Sequence, residues 1–303
     1  MVLILAGGAQ AIVISGGVSA NNQSAPADDP GWARVGRVGT NGSGVYLGNG
    51  WVLTANHVSS KTYFTVEGYP TYNKIDGEQF GVQLRNTSDT GYIDLYMFRV
   101  DVSGGNLNGL GDMAITSSAP NNKQCVHIGT GDGQTLSTKT HWYVDTTPNP
   151  DVWSTSEFSG WDTDRYGYYW SGVRDTRWAY EDVYDSNYDF TISGMFMQGF
   201  TTDFIEATDY GMAADHDSGS GLFVKNGGVW ELAGIAHAVG TFSGQPSATS
   251  VYGNWSLYSD LSAYSDQITT IMVIPEPVTV WSLAVLGMMM VLLGKRTSHR
   301  LHR

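Results

Sequence analysis

The sequence contains one cysteine, Cys125, so no intrachain disulfide can form. A chain of 303 residues is long enough to be held by its core instead. Cys125 lies in the strand-like run Gln124-Cys125-Val126-His127-Ile128 and reads as a small buried apolar group rather than a nucleophile. Charge is scarce: 15% of residues are charged, which argues against long salt-bridged helices. Basic residues are scarcer still, 16 against 29 acidic, and the net charge of −13 excludes nucleic acid as a partner. No His-Glu-x-x-His occurs, and His127, His141, His216 and His237 lack ligand-like spacing, so neither a metal nor a cofactor is expected. The glycine-rich Gly129-Thr130-Gly131-Asp132-Gly133 is followed by no Lys-Ser/Thr and no helical pattern. That excludes a phosphate loop and predicts a hairpin.

The chain is rich in Gly (38), Tyr (17) and Trp (10), and 41% of it is hydrophobic. Between roughly residues 12 and 270, short β-patterned runs are separated by Gly, Asn, Asp and Ser turns. Examples are Gly44–Leu47, Trp51–Thr54, Tyr92–Val100 and Trp230–Ala238. This spacing predicts an all-β barrel or sandwich, with one short helix expected near Leu257–Ile271. Residues 141–190 stand apart as an insertion crowded with aromatics, among them Trp142, Trp153, Trp161 and Tyr166. They read as enlarged loops whose rings pack on the barrel; the alternative is an aromatic surface for a glycan or an extended peptide.

Both ends carry export features. Residues 1–11 are apolar and end in Ala9-Gln10-Ala11, a small-x-small cleavage pattern. The stretch is short and has no positive leader, so the true start is expected upstream. At the other end, residues 271–303 run through Pro275-Glu276-Pro277 into an apolar segment, Val278–Leu293. That segment is slightly shorter than the roughly 20 residues of a full membrane span. Lys295, Arg296, His299, Arg300 and Arg303 follow, which predicts a cytoplasmic terminus. The order of these three parts resembles the PEP-CTERM sorting signals of Gram-negative bacteria. The resemblance implies export to the envelope, a transmembrane sorting helix at 278–293, and recognition by an exosortase-type membrane enzyme that removes the tail.

Three separated segments carry candidate chemistry. Trp51-Val52-Leu53-Thr54-Ala55-Asn56-His57 is a strand ending in a histidine, and Tyr92-Ile93-Asp94-Leu95 puts an aspartate at the head of an apolar strand. Asp215-His216-Asp217-Ser218-Gly219-Ser220-Gly221 sets a serine in a glycine-containing turn. In this order the segments resemble those of the trypsin/chymotrypsin-like serine proteases: Thr-Ala-x-His, then Asp-Leu, then Gly-Asp-Ser-Gly. The similarity covers about residues 12–265, and the long interval between Asp94 and Ser218 holds the aromatic insertion.

The resemblance implies a two-barrel antiparallel fold with a short C-terminal helix, and a secreted endopeptidase acting on protein or peptide substrates. Ser218 would be the nucleophile, His57 its general base, and Asp94 the residue that orients the imidazole. The backbone N–H groups of His216 and Ser218 would form the oxyanion hole, although the family has glycine where this chain has His216. Cleavage after Ala11 would free Ile12-Val13-Ile14-Ser15-Gly16-Gly17. That start is similar to the family's Ile-Val-Gly-Gly, whose new ammonium would pair with Asp217. The position six residues before the nucleophile, Met212, implies an apolar specificity pocket, with His237 as a wall residue. Two further readings stand beside this one. One is a catalytically impaired domain that binds glycan or protein at its surface; the other is an acyl hydrolase using the same triad.

Overall fold

The structure is a computed structural model and describes residues 2–4, 12–16, 22–134 and 138–274. The apolar segment 278–293 and the basic tail lie outside the described residues, as does most of the leader. Among the described residues, no helix is long and apolar enough to cross a membrane. The chain forms two compact units, residues 1–266 and 267–303.

The first unit contains two curled antiparallel sheets of seven strands each. In the first sheet the order is Thr71–Asn73, Tyr63–Thr65, Val35–Val38, Gly42–Gly48, Trp51–Ala55, Tyr92–Arg99 and Gly81–Arg85. Gly42–Gly48 and Trp51–Ala55 are buried along their whole length, which explains why they read as continuous apolar or small-residue runs. Tyr46, Val52, Phe64, Phe98 and Leu107 form the centre of this core.

In the second sheet, six strands close into a ring. Val229–Thr241 pairs on one side with Gly221–Asn226 and on the other with Trp255–Asp260, and Gln124–Gly129, Arg177–Asp185 and Gly199–Asp203 complete the circle. Val2–Ile4 adds to this sheet beside Val239–Thr241.

Three expectations change. Trp255–Asp260 is a barrel strand, and only Ser265–Met272 is α-helical. Asp260 marks the change, because its carboxylate accepts the Ser262 N–H at 2.9 Å and starts the turn. The strands flanking Gly129–Gly133 do not form a hairpin. Gln124–Gly129 pairs within the second barrel, while Asp132–Gln134 pairs with Thr163–Arg174 in a separate sheet. Arg177–Asp185, inside the expected insertion, is a barrel strand, so the additional sheet consists mainly of Thr140–Asp145, Val152–Ser154 and Thr163–Arg174. One face of it buries Trp142, Val144 and Val251, with Trp153 and Phe242 packed against them. On the other face the His141 ring contacts those of Tyr143 and Tyr166.

Candidate active site

The register of the first sheet brings the first two residues together. Ala55 lies opposite Leu95, so the chain leaving one strand passes beside the head of the other. Asn56 N–H continues the ladder to the Asp94 carbonyl at 3.1 Å. One residue later, His57 N–H donates to Asp94 Oδ1 at 2.7 Å, and Asp94 Oδ2 lies 2.5 Å from His57 Nδ1. The other ring nitrogen, Nε2, is 2.7 Å from Ser218 Oγ. Asp94 is fully buried, whereas the His57 side chain keeps 29% of its surface.

Ser218 sits in a turn tethered to both sheets. Ser43 N–H from the first sheet donates to the Ser218 carbonyl at 2.9 Å, and Gly219 N–H donates to Ala236 O of the second at 2.9 Å. Ser220 N–H closes the turn on Asp217 O at 2.7 Å. Gly219 is required here: its φ is +91°, and a Cβ would fall 2.1 Å from Ser43 O and 2.3 Å from Thr54 Oγ1.

Burial alone would raise the Asp94 carboxyl, but hydrogen bonds from His237 and His57 outweigh it and hold the group well below the usual carboxylate range. The site therefore has an ionised carboxylate, an imidazole oriented by it, and a hydroxyl at the imidazole's far nitrogen. Such an arrangement can deprotonate the hydroxyl as it attacks an electrophile.

A sequence model of the family described as Trypsin matches residues 14–261, most of the chain. The chain belongs to the trypsin family. Membership puts it among the serine endopeptidases. Two solved structures are similar in outline. Neuropsin, a serine protease expressed in the limbic system of mouse brain, has 14% identity and a TM-score of 0.48 over 83% of this chain and 98% of its own. The NS6 protease of murine norovirus 1 has 14% identity and a TM-score of 0.40 over 78% of this chain and 93% of its own. A comparison with curated proteins finds no match. At these scores the structural likenesses add nothing to the assignment, which rests on the family model.

His216 lies beside the nucleophile with φ +64°, the left-handed region where the family has glycine. Among the described residues, no protein acceptor takes the N–H of His216 or of Ser218. The His216 carbonyl accepts from Ser43 Oγ at 2.8 Å. Burial, assisted by the Arg174 charge, pushes the His216 imidazole down to about 3, so it is neutral at physiological pH.

Ile12 is fully buried, and a Cβ added at Gly129 would touch both Ile12 Cγ1 and Asp217 Oδ1, so both side chains border that glycine. Gln134 holds the segment by bonding both the N–H and the carbonyl of Ile14, at 2.9 and 2.7 Å. Asp217 is fully buried, and burial pushes its carboxyl up to about 7 despite the nearby His127 and the N–H groups of Ala214 and Gly131.

Met212 is buried against Val13, Tyr168, Phe204 and Ala214 and is not among the residues lining the small pocket beside Ser218. Ala213, Ala214, Asp215, Ala236, Ala238 and Val239 line that pocket, together with His237.

His237 has a further contact that strand pattern does not reveal. Its Nδ1 lies 3.0 Å from Asp94 Oδ2, and its side chain is fully buried. The register slips between Ala236 and Ala238, so His237 is the extra residue of a β-bulge. A bulge re-aims a side chain, and here His237 reaches Asp94 while it also lines the pocket beside Ser218. His57, Asp94 and His237 also form the one cluster of metal-ligating side chains among the described residues. Nδ1 of both imidazoles and Oδ2 of Asp94 are engaged in the hydrogen bonds just described.

Proposed function

We propose that this chain is an active, exported serine endopeptidase that works through an acyl-enzyme. The unbroken line Asp94 Oδ2, His57 Nδ1, His57 Nε2, Ser218 Oγ, with spacings of 2.5 and 2.7 Å, carries the reading. In the forward step His57 Nε2 takes the Ser218 proton as Oγ attacks the scissile carbonyl. The N–H groups of His216 and Ser218 receive the oxyanion. Collapse of the tetrahedral adduct breaks the C–N bond, and His57 returns the proton to the leaving amine. Water, deprotonated by the same imidazole, then hydrolyses the ester. Asp94 stays ionised throughout and stabilises the transient imidazolium.

The small pocket beside Ser218, lined by four alanines with Asp215, supports cleavage after small side chains. Removal of the leader after Ala11 would free the Ile12 ammonium near Asp217, a buried carboxyl that makes no ion pair among the described residues. The C-terminal order of Pro-Glu-Pro, apolar segment and basic tail supports delivery to the envelope of a Gram-negative cell and processing by an exosortase-type enzyme.

One observation favours a second reading, a protease-like domain that only binds glycan or protein: a histidine at φ +64° stands where the oxyanion hole needs glycine. Turnover separates the two. The proposal requires that the exported protein start at Ile12, cleave casein or unstructured peptides, and lose that activity in Ser218→Ala. A mature start elsewhere contradicts the activation step. Ester turnover without peptide turnover would indicate the acyl-hydrolase alternative.

A further inference from the structure

Beneath the nucleophile turn lies a second serine, histidine and carboxylate in line. Ser220 Oγ is 2.6 Å from His127 Nε2, and His127 Nδ1 is 2.8 Å from Glu181 Oε1. The hydroxyl of Tyr258 donates to Glu181 Oε2 at 2.8 Å and approaches His127 Nδ1 at 3.0 Å, while the Thr202 hydroxyl donates to Glu181 Oε2. All five residues are buried, none exposing more than 1% of its surface. His127, Glu181, Thr202 and Tyr258 come from four different strands of the second barrel, and Ser220 directly precedes a fifth.

No substrate can reach Ser220, so this line is not a second active site. Nor is it the cheapest way to fill a core. Burying a histidine–glutamate pair carries a large desolvation cost, and apolar residues of similar volume commonly do as well or better. The position of Ser220 indicates its use. Its N–H and carbonyl close the turn around Ser218, on Asp217 O at 2.7 Å and from Ala236 N–H at 3.0 Å. Its neighbours are Gly219 and Gly221, which stiffen nothing by themselves. With one cysteine in the chain, no intrachain disulfide can brace the turn.

We infer that Ser220, His127 and Glu181 are positioning residues: their buried hydrogen-bond line fixes the turn Asp217–Ser220 and so holds Ser218 Oγ opposite His57 Nε2. The inference rests on the reading of Ser218 as the nucleophile.

The test uses the processed full-length protein and three variants: Ser220→Ala, Glu181→Gln and Leu107→Ala. Leu107, in the 3₁₀ turn Asn106–Gly109, is fully buried in the core of the first sheet, and its truncation supplies a control that loses stability without touching the network. Rates of fluorophosphonate acylation and of peptide turnover are measured where every variant is fully folded. Ser220→Ala is expected to acylate at least tenfold more slowly than the Leu107→Ala control, with kcat reduced and KM little changed. Glu181→Gln is expected to fall between Ser220→Ala and wild type, and it carries the test if Ser220→Ala does not fold. Acylation of the folded network variants within twofold of the control overturns the inference.

Amide exchange gives an arm that does not need activity. The Gly219 and Ser220 N–H groups should exchange faster in Ser220→Ala than in the control, and unchanged protection also overturns the inference. If wild type is not labelled while exchange still accelerates, the enzymatic reading fails and the brace stands.

Discussion

His57 and His237 donate to the same oxygen of Asp94, at 2.5 and 3.0 Å, from opposite sheets of the protein. A carboxylate buried beyond the reach of water is kept ionised by two imidazoles rather than one. Only His57 also reaches Ser218. His237 Nε2, on the far side of the second ring, is buried with no hydrogen-bond partner among the described residues.

Removing the second donor therefore slows the chemistry. A hydrogen bond to a charged group contributes about 1.5–3 kcal/mol, so His237→Ala should reduce the fluorophosphonate acylation rate roughly tenfold or more. His237→Asn, which keeps a donor, should recover part of the loss. Stopped-flow labelling checks both, and an unchanged rate in folded His237→Ala removes the role assigned to the second imidazole.

The backbone at His216 predicts a contrast between two substitutions. At φ +64° glycine is unstrained, so His216→Gly should fold within about 1 kcal/mol of wild type and remain reactive. A β-branched residue is an outlier there, and His216→Val should cost on the order of 1–3 kcal/mol and abolish labelling. Thermal melts and probe labelling measure the pair; equal behaviour of the two variants would contradict a positive φ at this position.

Much of this site is legible in the sequence because it depends on local pattern. Two strands of strong apolar character, Trp51–Ala55 and Tyr92–Arg99, pair in one register, and that register sets His57 against Asp94. The Ser218 turn is likewise marked by its neighbours. What stays hidden depends on irregularity or distance. The contact of His237 with Asp94 depends on a bulge that no residue pattern announces. His127 and Glu181 are brought together by barrel closure across 54 residues, with no motif to announce it. Gly129–Gly133 looks like a hairpin, yet it carries the chain from one sheet into another, which only the pairing of distant strands decides. Leu257 reads as the start of a helix because its apolar neighbours fit either period over so short a run.

Asp217 predicts a pH dependence of stability in the unprocessed chain. Its carboxyl is raised to about 7 from an ordinary 3.8, so the folded state binds that proton more tightly than the unfolded state does. The native protein then holds the extra proton between those two values, and stability falls as pH rises through the window. The full effect is of order 4 kcal/mol. Asp217→Asn should flatten this component of the slope, and a chain beginning at Ile12 should flatten or invert it by supplying an ammonium. Melting temperatures from pH 4 to pH 7 decide the matter; parallel curves for all three proteins would contradict the pairing.

Thiol chemistry should be silent. Cys125 is fully buried, and burial together with Glu181 and Asp182 pushes its thiol far above the ordinary range. Iodoacetamide should leave both the native thiol and peptide turnover untouched, whereas serine-directed reagents should stop turnover. Loss of activity that tracks alkylation of Cys125 would contradict this.

The proposed chemistry turns on one atom, Ser218 Oγ, held 2.7 Å from His57 Nε2. The most direct measurement is peptide mapping by mass spectrometry after treating the processed protein with a fluorophosphonate. A single adduct is predicted on Ser218, absent from Ser218→Ala and strongly reduced in His57→Ala. No adduct on Ser218 in folded protein, or an adduct that forms as fast without His57, would contradict the mechanism.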